Sequence, residues 1–131
     1  EIHSSAVQEV MAEVQKFWAS PSCDPNSPPP HSTGSAVDLT LADLRGIKID
    51  MGGEIDTLGP ISEPGYYADK TKSDFNSKNH LWHQRRKLLA DVMRKAGFVQ
   101  HPNEWWHFSY GDQLWAWRRN LSGAIYGSYE F

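Results

Sequence analysis

The sequence lacks the features that mark several common protein classes. Its one cysteine, Cys23, excludes an internal disulfide framework, and it lies among prolines and serines with no neighbouring base to activate a thiolate. No apolar run is long enough to cross a bilayer, and no signal peptide is recognisable. The net charge of -3 gives no reason to expect a nucleic-acid partner. We therefore expect a protein with neither membrane nor nucleic-acid partners.

Aromatic residues and helical periodicity are what the sequence does contain. Six Trp, five Tyr and five Phe in 131 residues indicate a packed domain or an aromatic-walled pocket. Apolar residues at helical spacing, preceded by a capping box, predict a helix over residues 6–19. The same spacing predicts a helix over residues 79–96, ended by Gly97 in the left-handed conformation. His80 and His83 on that helix have no carboxylate beside them, so we interpret them as surface residues.

Alternating and aromatic segments predict an antiparallel sheet beside these helices. Residues 36–41 alternate apolar and polar side chains, and residues 47–50 would pair with them as a hairpin. Residues 57–76 are predicted to be a long polar loop, which we expect to lie at the rim of a functional site. Further strands are predicted at residues 105–110, at 114–117 after a hairpin turn at 111–112, and at the edge of the sheet over 124–131. These elements predict one α+β domain over residues 1–131, an antiparallel sheet flanked by helices.

The chemistry-bearing residues fall in two short motifs, His31 to Asp38 and Glu104 to His107. Two imidazoles and a carboxylate are the donor set of an open, catalytic zinc site. Neither a straight helix nor a straight strand lets His31 and Asp38 reach one ion at about 2 Å, so the segment must bend, and Gly34 permits it. A Glu three residues before a ligand His can activate a metal-bound water. The two motifs together predict a catalytic metal site.

These motifs resemble a known family. The pattern Ser-x-x-x-His-x-x-Gly-x-Ala-x-Asp, followed by Glu-x-x-His, resembles the zinc D-Ala-D-Ala peptidases, and the surrounding runs resemble their D-alanyl-D-alanine dipeptidase branch. The resemblance covers essentially all of the chain. It implies that His31, Asp38 and His107 are zinc ligands and that Glu104 is the catalytic base. The chain departs from the family at Pro29, where a Ser is usual.

A third match concerns substrate binding. Met51-Gly52 followed by Asp56 resembles the dipeptidase segment whose aspartate binds the free amino group of the substrate. On spacing alone Asp56 is better interpreted as a turn aspartate, and it is the resemblance that favours substrate binding. The resemblance also implies the hedgehog/D,D-peptidase-like fold, one Zn²⁺ per chain, and the dipeptide D-Ala-D-Ala as the small-molecule substrate.

The implied function is hydrolysis of D-Ala-D-Ala into D-alanine by a metal-activated water with Glu104 as general base. One alternative is a D,D-carboxypeptidase acting on peptidoglycan stem peptides, against which Asp56 argues because it would select a free amino group. The other is an inactive zinc-bearing binding module, against which the retained Glu104 argues. A Ser-His-Asp hydrolase is disfavoured because no Gly-x-Ser-x-Gly elbow is present.

The resemblance also implies an arginine that stabilises the negative charge of the transition state. In the dipeptidases it lies in a Tyr-Arg-Pro segment shortly before the first helix. This chain has no arginine before Arg45. We therefore expect it to be the C-terminal portion of a longer enzyme that lacks its N-terminal segment, with a companion N-terminal fragment as a partner and homo-oligomerisation left open. The expected location is the bacterial cytoplasm, with the periplasm as the alternative because the sequence begins at Glu1 and not at Met.

Overall fold

The computed structural model describes residues 7–12, 28–68 and 77–127. Residues 7–12 are helical, which agrees with part of the predicted helix over 6–19; the remainder of that helix lies outside the described residues. The other elements are two 3₁₀-helices (Pro30–Thr33 and Pro60–Ser62), three strands (β1 Ala36–Asp38, β2 Val99–Gln100, β3 His107–Ser109), a long helix (Lys78–Lys95) and a short helix (Gln113–Arg118). The described residues therefore have the predicted α+β architecture.

Strand β3 is the centre of a three-stranded antiparallel sheet in the order β1-β3-β2. All three of its residues are buried, as expected of a strand with a partner on each side. The register places Asp38 of β1 opposite His107 of β3. Directly opposed residues of an antiparallel pair project to the same face, so this register brings the two predicted metal ligands together.

The long helix agrees closely with the predicted helix over 79–96. The Ser77 side chain accepts a hydrogen bond from the backbone N–H of His80 and caps the first turn. At the other end Gly97 has φ +94, the left-handed conformation predicted for it.

The strand predictions are confirmed in part. Strand β1 occupies only the first half of predicted strand 36–41, but pairing resumes at a bridge between Ala42 and Lys48. The backbone N–H of Ile49 also donates to the Leu41 carbonyl at 2.9 Å, so residues 47–50 do return as a hairpin. Strand β3 lies within the predicted strand 105–110.

The prediction of a hairpin turn at 111–112 and a returning strand at 114–117 is wrong. Residues 114–117 belong to the short helix, which Asp112 precedes as its N-cap: the Asp112 side chain accepts a hydrogen bond from the Trp115 backbone N–H at 2.8 Å. The predicted edge strand over 124–131 is also absent from its described part. There, the N–H groups of Ile125 and Tyr126 donate to the Gly111 carbonyl, while residues 128–131 lie outside the described residues.

The apolar core lies between the sheet and the long helix. Its buried members come from a loop, the long helix and β3 with the segment before it: Met51, Leu89, Trp105, Trp106 and Phe108. Phe108 of β3 belongs to this core, whereas its neighbour His107 projects to the opposite face. One strand thus anchors the core and presents a functional side chain. No helix in the described ranges has the length and apolar character needed to span a bilayer.

Candidate metal centre

Three of the predicted site residues bring their donor atoms together. His31 Nε2 lies 3.3 Å from one Asp38 carboxylate oxygen, and His107 Nδ1 lies 3.1 Å from the other. The candidate ligand atoms of the three residues all lie within 4.8 Å of one another. Across the described ranges, no other group of three or more His, Cys, Asp or Glu side chains is so placed.

The backbone bend that the sequence requires between His31 and Asp38 is present at Gly34. The 3₁₀-helix Pro30–Thr33 ends there, with Gly34 at φ +69 and its N–H bonded to the His31 carbonyl at 3.2 Å. A Cβ at this glycine would meet no atom within 4 Å, so the left-handed backbone and not space is the reason for glycine. The turn folds the His31 ring back towards Asp38.

The His107 ring contacts Ser109, a residue to which the sequence motifs assigned no role. Its Nδ1 faces Asp38, and its Nε2 lies 3.3 Å from the hydroxyl oxygen of Ser109, which is fully buried. Metal-binding histidines commonly bond a polar group through the second ring nitrogen, which fixes the ring and its tautomer. The signal for Ser109 was its position two residues after a ligand on a strand, hence on the same face.

Glu104 lies beside the three donors and is 8% exposed. It precedes β3 and follows a turn at residues 102–103, which explains how its side chain reaches the His107 side although the two would diverge on one extended strand. Its carboxylate is 3.6 Å from His107 Nδ1. Burial, with smaller contributions from the charges of Asp38 and Asp56 and against the opposing effect of His107, raises the pKa of Glu104 to about 7.

His101 is a second residue that the sequence analysis missed. Its Nδ1 accepts a hydrogen bond from the Asn103 backbone N–H at 3.3 Å and lies 3.9 Å from the Glu104 carboxylate. Its ring centre is 5.4 Å from that of His107. Burial, with a smaller effect of His107, lowers the pKa of His101 to about 4, so the ring is neutral near pH 7. Its place three residues before Glu104 was the available signal.

All five predicted site residues line one cavity of about 230 Å³. His101, Leu58 and Trp106 also line it, so the polar groups have apolar neighbours. Asp56 reaches the cavity from a loop and has φ +64, a left-handed conformation that Asp tolerates better than most residues. The structure thus places Asp56 in the same site as the candidate metal ligands.

The electrostatics of the cavity favour cations. Three carboxylates, Asp38, Asp56 and Glu104, face it together with the imidazoles. Burial acts to raise the pKa of Asp38, but the hydrogen bond from His107 and the charges of the surrounding histidines outweigh it, and the pKa is lowered overall. A metal ion or an ammonium group is the kind of ligand that such a set of acceptors binds.

Comparison with known proteins agrees with the family predicted from the motifs. Residues 5–123 match the family described as D-ala-D-ala dipeptidase. A protein named D-alanyl-D-alanine dipeptidase from Synechocystis is 47% identical over 119 residues, which cover 86% of this chain and 47% of that protein.

More distant relatives carry the same name. The Escherichia coli protein is 34% identical over 86 residues, covering 60% of this chain and 36% of its own length. The Enterococcus faecium protein is 33% identical over 84 residues, covering 63% and 37%. The chain spans about half the length, or less, of these relatives. With a match over nearly all of its residues, the chain belongs to the D-Ala-D-Ala dipeptidase family of metallopeptidases.

Proposed function

We propose that this chain carries the active site of a zinc-dependent dipeptidase that hydrolyses D-Ala-D-Ala into D-alanine. The observation that supports this most directly is the convergence of His31, Asp38 and His107 in one cavity with the buried carboxylate of Glu104. The activity that its relatives are named for supports the same proposal. We also propose that the residues form a single domain of the D,D-peptidase-like fold, which the small antiparallel sheet with helices beside it supports.

The three donors fit a zinc ion. Ligand atoms at about 2.0–2.1 Å from a tetrahedral centre lie about 3.3 Å from one another. His31 and His107 lie near this distance from Asp38, at 3.3 Å from one carboxylate oxygen and 3.1 Å from the other, and single ligand atoms of all three residues lie within 4.8 Å of one another. Two imidazoles and one carboxylate also leave a fourth position for water or substrate, as in catalytic zinc sites. When bound there, zinc supplies a Lewis acid that polarises the scissile carbonyl and makes a water molecule more acidic.

Glu104 is proposed as the general base. It is buried next to the ligand His107, and its pKa of about 7 lets it accept and release a proton near neutral pH. It would take a proton from the attacking water and pass it to the nitrogen of the leaving amine. A bound cation would lower the pKa of this carboxylate, which favours its basic form before the reaction.

Asp56 is proposed to pair with the substrate ammonium. It is a carboxylate in the same cavity, whose wall also includes the apolar residue Leu58. A charge-assisted hydrogen bond to an ammonium discriminates against substrates whose amino group is acylated. This role favours a free dipeptide over a cell-wall stem peptide. The transition-state arginine implied by the resemblance stays a prediction, since no arginine in the described ranges lines the cavity.

The proposal is tested by measuring release of D-alanine from three substrates in the presence of zinc: free D-Ala-D-Ala, its N-acetyl form and an acylated stem tripeptide. We expect a higher kcat/KM for the free dipeptide. Faster hydrolysis of the acylated substrates would instead indicate a D,D-carboxypeptidase. Stoichiometric zinc binding without hydrolysis of any substrate would indicate a binding module.

A further inference from the structure

The loop that carries Asp56 is fastened to the long helix by one buried side chain. We call residues 51–63 the Asp56 loop. The Arg86 guanidinium of the long helix donates three hydrogen bonds to it, from Nε and Nη1, at 2.9 to 3.1 Å. The accepting carbonyls belong to the first residue of the loop and to two residues near its end: Met51, Ile61 and Glu63.

Arg86 is buried against two aromatic rings, and its Nε and Nη1 are hydrogen-bonded while its Nη2 has no hydrogen-bond partner among the described residues. It is 2% exposed, and its guanidinium carbon lies 4.8 Å from the ring centre of Tyr67 and 5.1 Å from that of Trp105. Within the described ranges its charge has no carboxylate partner, and its hydrogen bonds go to backbone carbonyls. Burying a cation without a counter-charge costs free energy, which the three hydrogen bonds and two ring contacts of Arg86 offset, so its clearest consequence is geometric.

The start of the Asp56 loop packs directly on the side chains beside Arg86. A Cβ on Gly52 would lie 2.7 Å from the Trp82 and Tyr67 rings, and one on Gly53 would lie 3.2 Å from Arg86 Nη2. The Tyr67 hydroxyl donates to the Gly52 carbonyl at 2.5 Å. This contact leaves the loop little freedom to slide along the helix.

The end of the loop is joined to the segment that leads into β3, the strand of the candidate ligand His107. The Trp105 backbone N–H, directly after Glu104, donates to the Ser62 carbonyl at 2.9 Å. Between the two fixed ends, Asp56 keeps its left-handed φ of +64, a conformation that a non-glycine residue adopts only at a cost in free energy. Fixed ends restrict how this residue can relax and so restrict where its carboxylate points.

We propose that Arg86 is a positioning residue that sets the place of the Asp56 carboxylate in the cavity and thereby the preference for substrates with a free ammonium. This rests on the proposed function, in which Asp56 pairs with that ammonium. Arginine suits the task because its planar fork reaches both ends of the loop at once. A lysine is a single point donor and would hold one end only.

The test is Arg86→Lys, with Arg85→Lys as the matched control. Arg85 is the preceding residue, is half-buried, and donates to the Asp50 carbonyl, one residue before the loop. We expect Arg86→Lys to raise KM for free D-Ala-D-Ala about tenfold or more, the scale of a small misplacement of a binding group. The variant should keep most of kcat, its zinc content and its kinetics on the N-acetyl substrate, and Arg85→Lys should match the wild type.

Amide hydrogen exchange gives a second readout that needs no turnover. Exchange over residues 51–63 should be faster in Arg86→Lys than in the wild type and unchanged in Arg85→Lys. Gly53→Ala is the second variant if Arg86→Lys does not fold, because its Cβ would crowd Nη2 and displace the guanidinium. It should show the same rise in KM and in exchange.

Two results would overturn the role of Arg86. One is an unchanged KM and unchanged exchange in Arg86→Lys while Asp56→Asn raises KM. The other is an equal loss of kcat/KM on free and N-acetylated substrates, which indicates general structural damage. If the wild type hydrolyses neither substrate, the proposed function fails separately. Exchange then still decides whether Arg86 fixes the loop.

Discussion

The residues of the candidate site fall into two groups. Three side chains bring their donor atoms together, and two further carboxylates line the same cavity. The His31 side chain is 52% exposed and reaches in from a turn, whereas His107 is buried on the central strand. Glu104 and Asp56 lie around them in the same cavity. If the proposed roles are correct, replacing each group should affect a different measurable quantity.

Replacing Glu104 should separate catalysis from metal binding. We expect Glu104→Gln to keep its zinc, because its carboxylate is not one of the three converging donors, and to lose a factor of about 10² or more in kcat as expected for a general base. Zinc content by elemental analysis and kcat for D-Ala-D-Ala are the measurements. His107→Ala is the control, since it should lose the metal itself. Loss of zinc from Glu104→Gln as well would show that Glu104 is a ligand.

Replacing Asp56 should change substrate preference. Asp56→Asn removes the negative charge while keeping a side chain that tolerates the left-handed backbone at this position. We expect KM for free D-Ala-D-Ala to rise and kinetics on an N-acetylated dipeptide to change little, because the lost ion pair exists only for substrates with an ammonium. Equal losses on both substrates would reduce Asp56 to a loop residue.

At the scale of secondary-structure elements, strand pairing determines which site residues lie opposite one another. The pairing of β1 with β3 fixes Asp38 opposite His107, and β2 pairs with the other edge of β3. The chain passes from the long helix to β2 through Gly97, whose carbonyl accepts hydrogen bonds from Trp115 Nε1 and Arg119 Nη2. That glycine therefore joins both helices to the sheet.

Replacing Gly97 should destabilise the fold. Gly97→Ala places a side chain at φ +94 and puts its Cβ 3.1 Å from the Tyr110 ring, so we expect the free energy of unfolding in urea to fall by about 1–2 kcal/mol. Gly46→Ala has the left-handed strain (φ +81) without a contact and should lose less. Gly65→Ala has neither and should match the wild type. An equal loss of unfolding free energy in all three variants would contradict this explanation by backbone conformation and side-chain contact.

Across the whole molecule, the apolar core and the polar cavity share strand β3. Phe108 packs in the core, and His107 on the other face carries the site, so the stability of the fold and the state of the site are linked. The buried titratable groups of the cavity should therefore make unfolding depend on pH, and a bound ion should make it depend on metal.

In the zinc-free protein, His101 and Glu104 should have opposite effects on how the free energy of unfolding depends on pH. The pKa of His101 is about 4 when folded against an ordinary 6.5, so the unfolded state binds more protons between these values. Its contribution makes the free energy of unfolding fall as pH drops from 6.5 to 4. The pKa of Glu104 is about 7 against an ordinary 4.5, so the folded state binds more protons there, and its contribution is lost as pH rises from 4.5 to 7.

Replacing one of these two residues should leave the pH dependence that the other produces. In zinc-free Glu104→Gln, the free energy of unfolding should rise with pH between 4.5 and 6.5, at most by about 1.4 kcal/mol per pH unit. His101→Gln should show the opposite slope, and the wild type an intermediate one. Urea denaturation at several pH values measures all three, and parallel profiles would contradict the expectation.

Zinc should stabilise the folded protein through the three donors. At a free concentration of about 100 times Kd, binding to the native state adds about 2.7 kcal/mol to the free energy of unfolding. His31→Ala should lose most of this gain yet match the zinc-free wild type, since the His31 ring is half exposed. Denaturation with zinc and with a chelator measures the gain. His83→Ala on the long helix is the control, and loss of the gain in that variant would place the metal elsewhere.

The sequence by itself determined the local features of this protein. The apolar spacing and Gly97 predicted the long helix to within a residue at each end, because helix signals are local. The separation of His31 and Asp38 required a bend, and Gly34 was correctly identified as its place. The motifs also predicted the family, and the five site residues they pointed to share one cavity.

Only the tertiary structure decided the features that depend on distant contacts. Residues 114–117 look like a strand by composition, but they are helical, and the Trp115 indole N–H donates to the Gly97 carbonyl eighteen positions away. His101 and Ser109 gained their places beside His107 from the turn before β3 and the alternation of that strand. The three hydrogen bonds of Arg86 connect residues more than twenty positions apart, and no local pattern reports them. Burial and pairing across such distances arise only when the chain is folded.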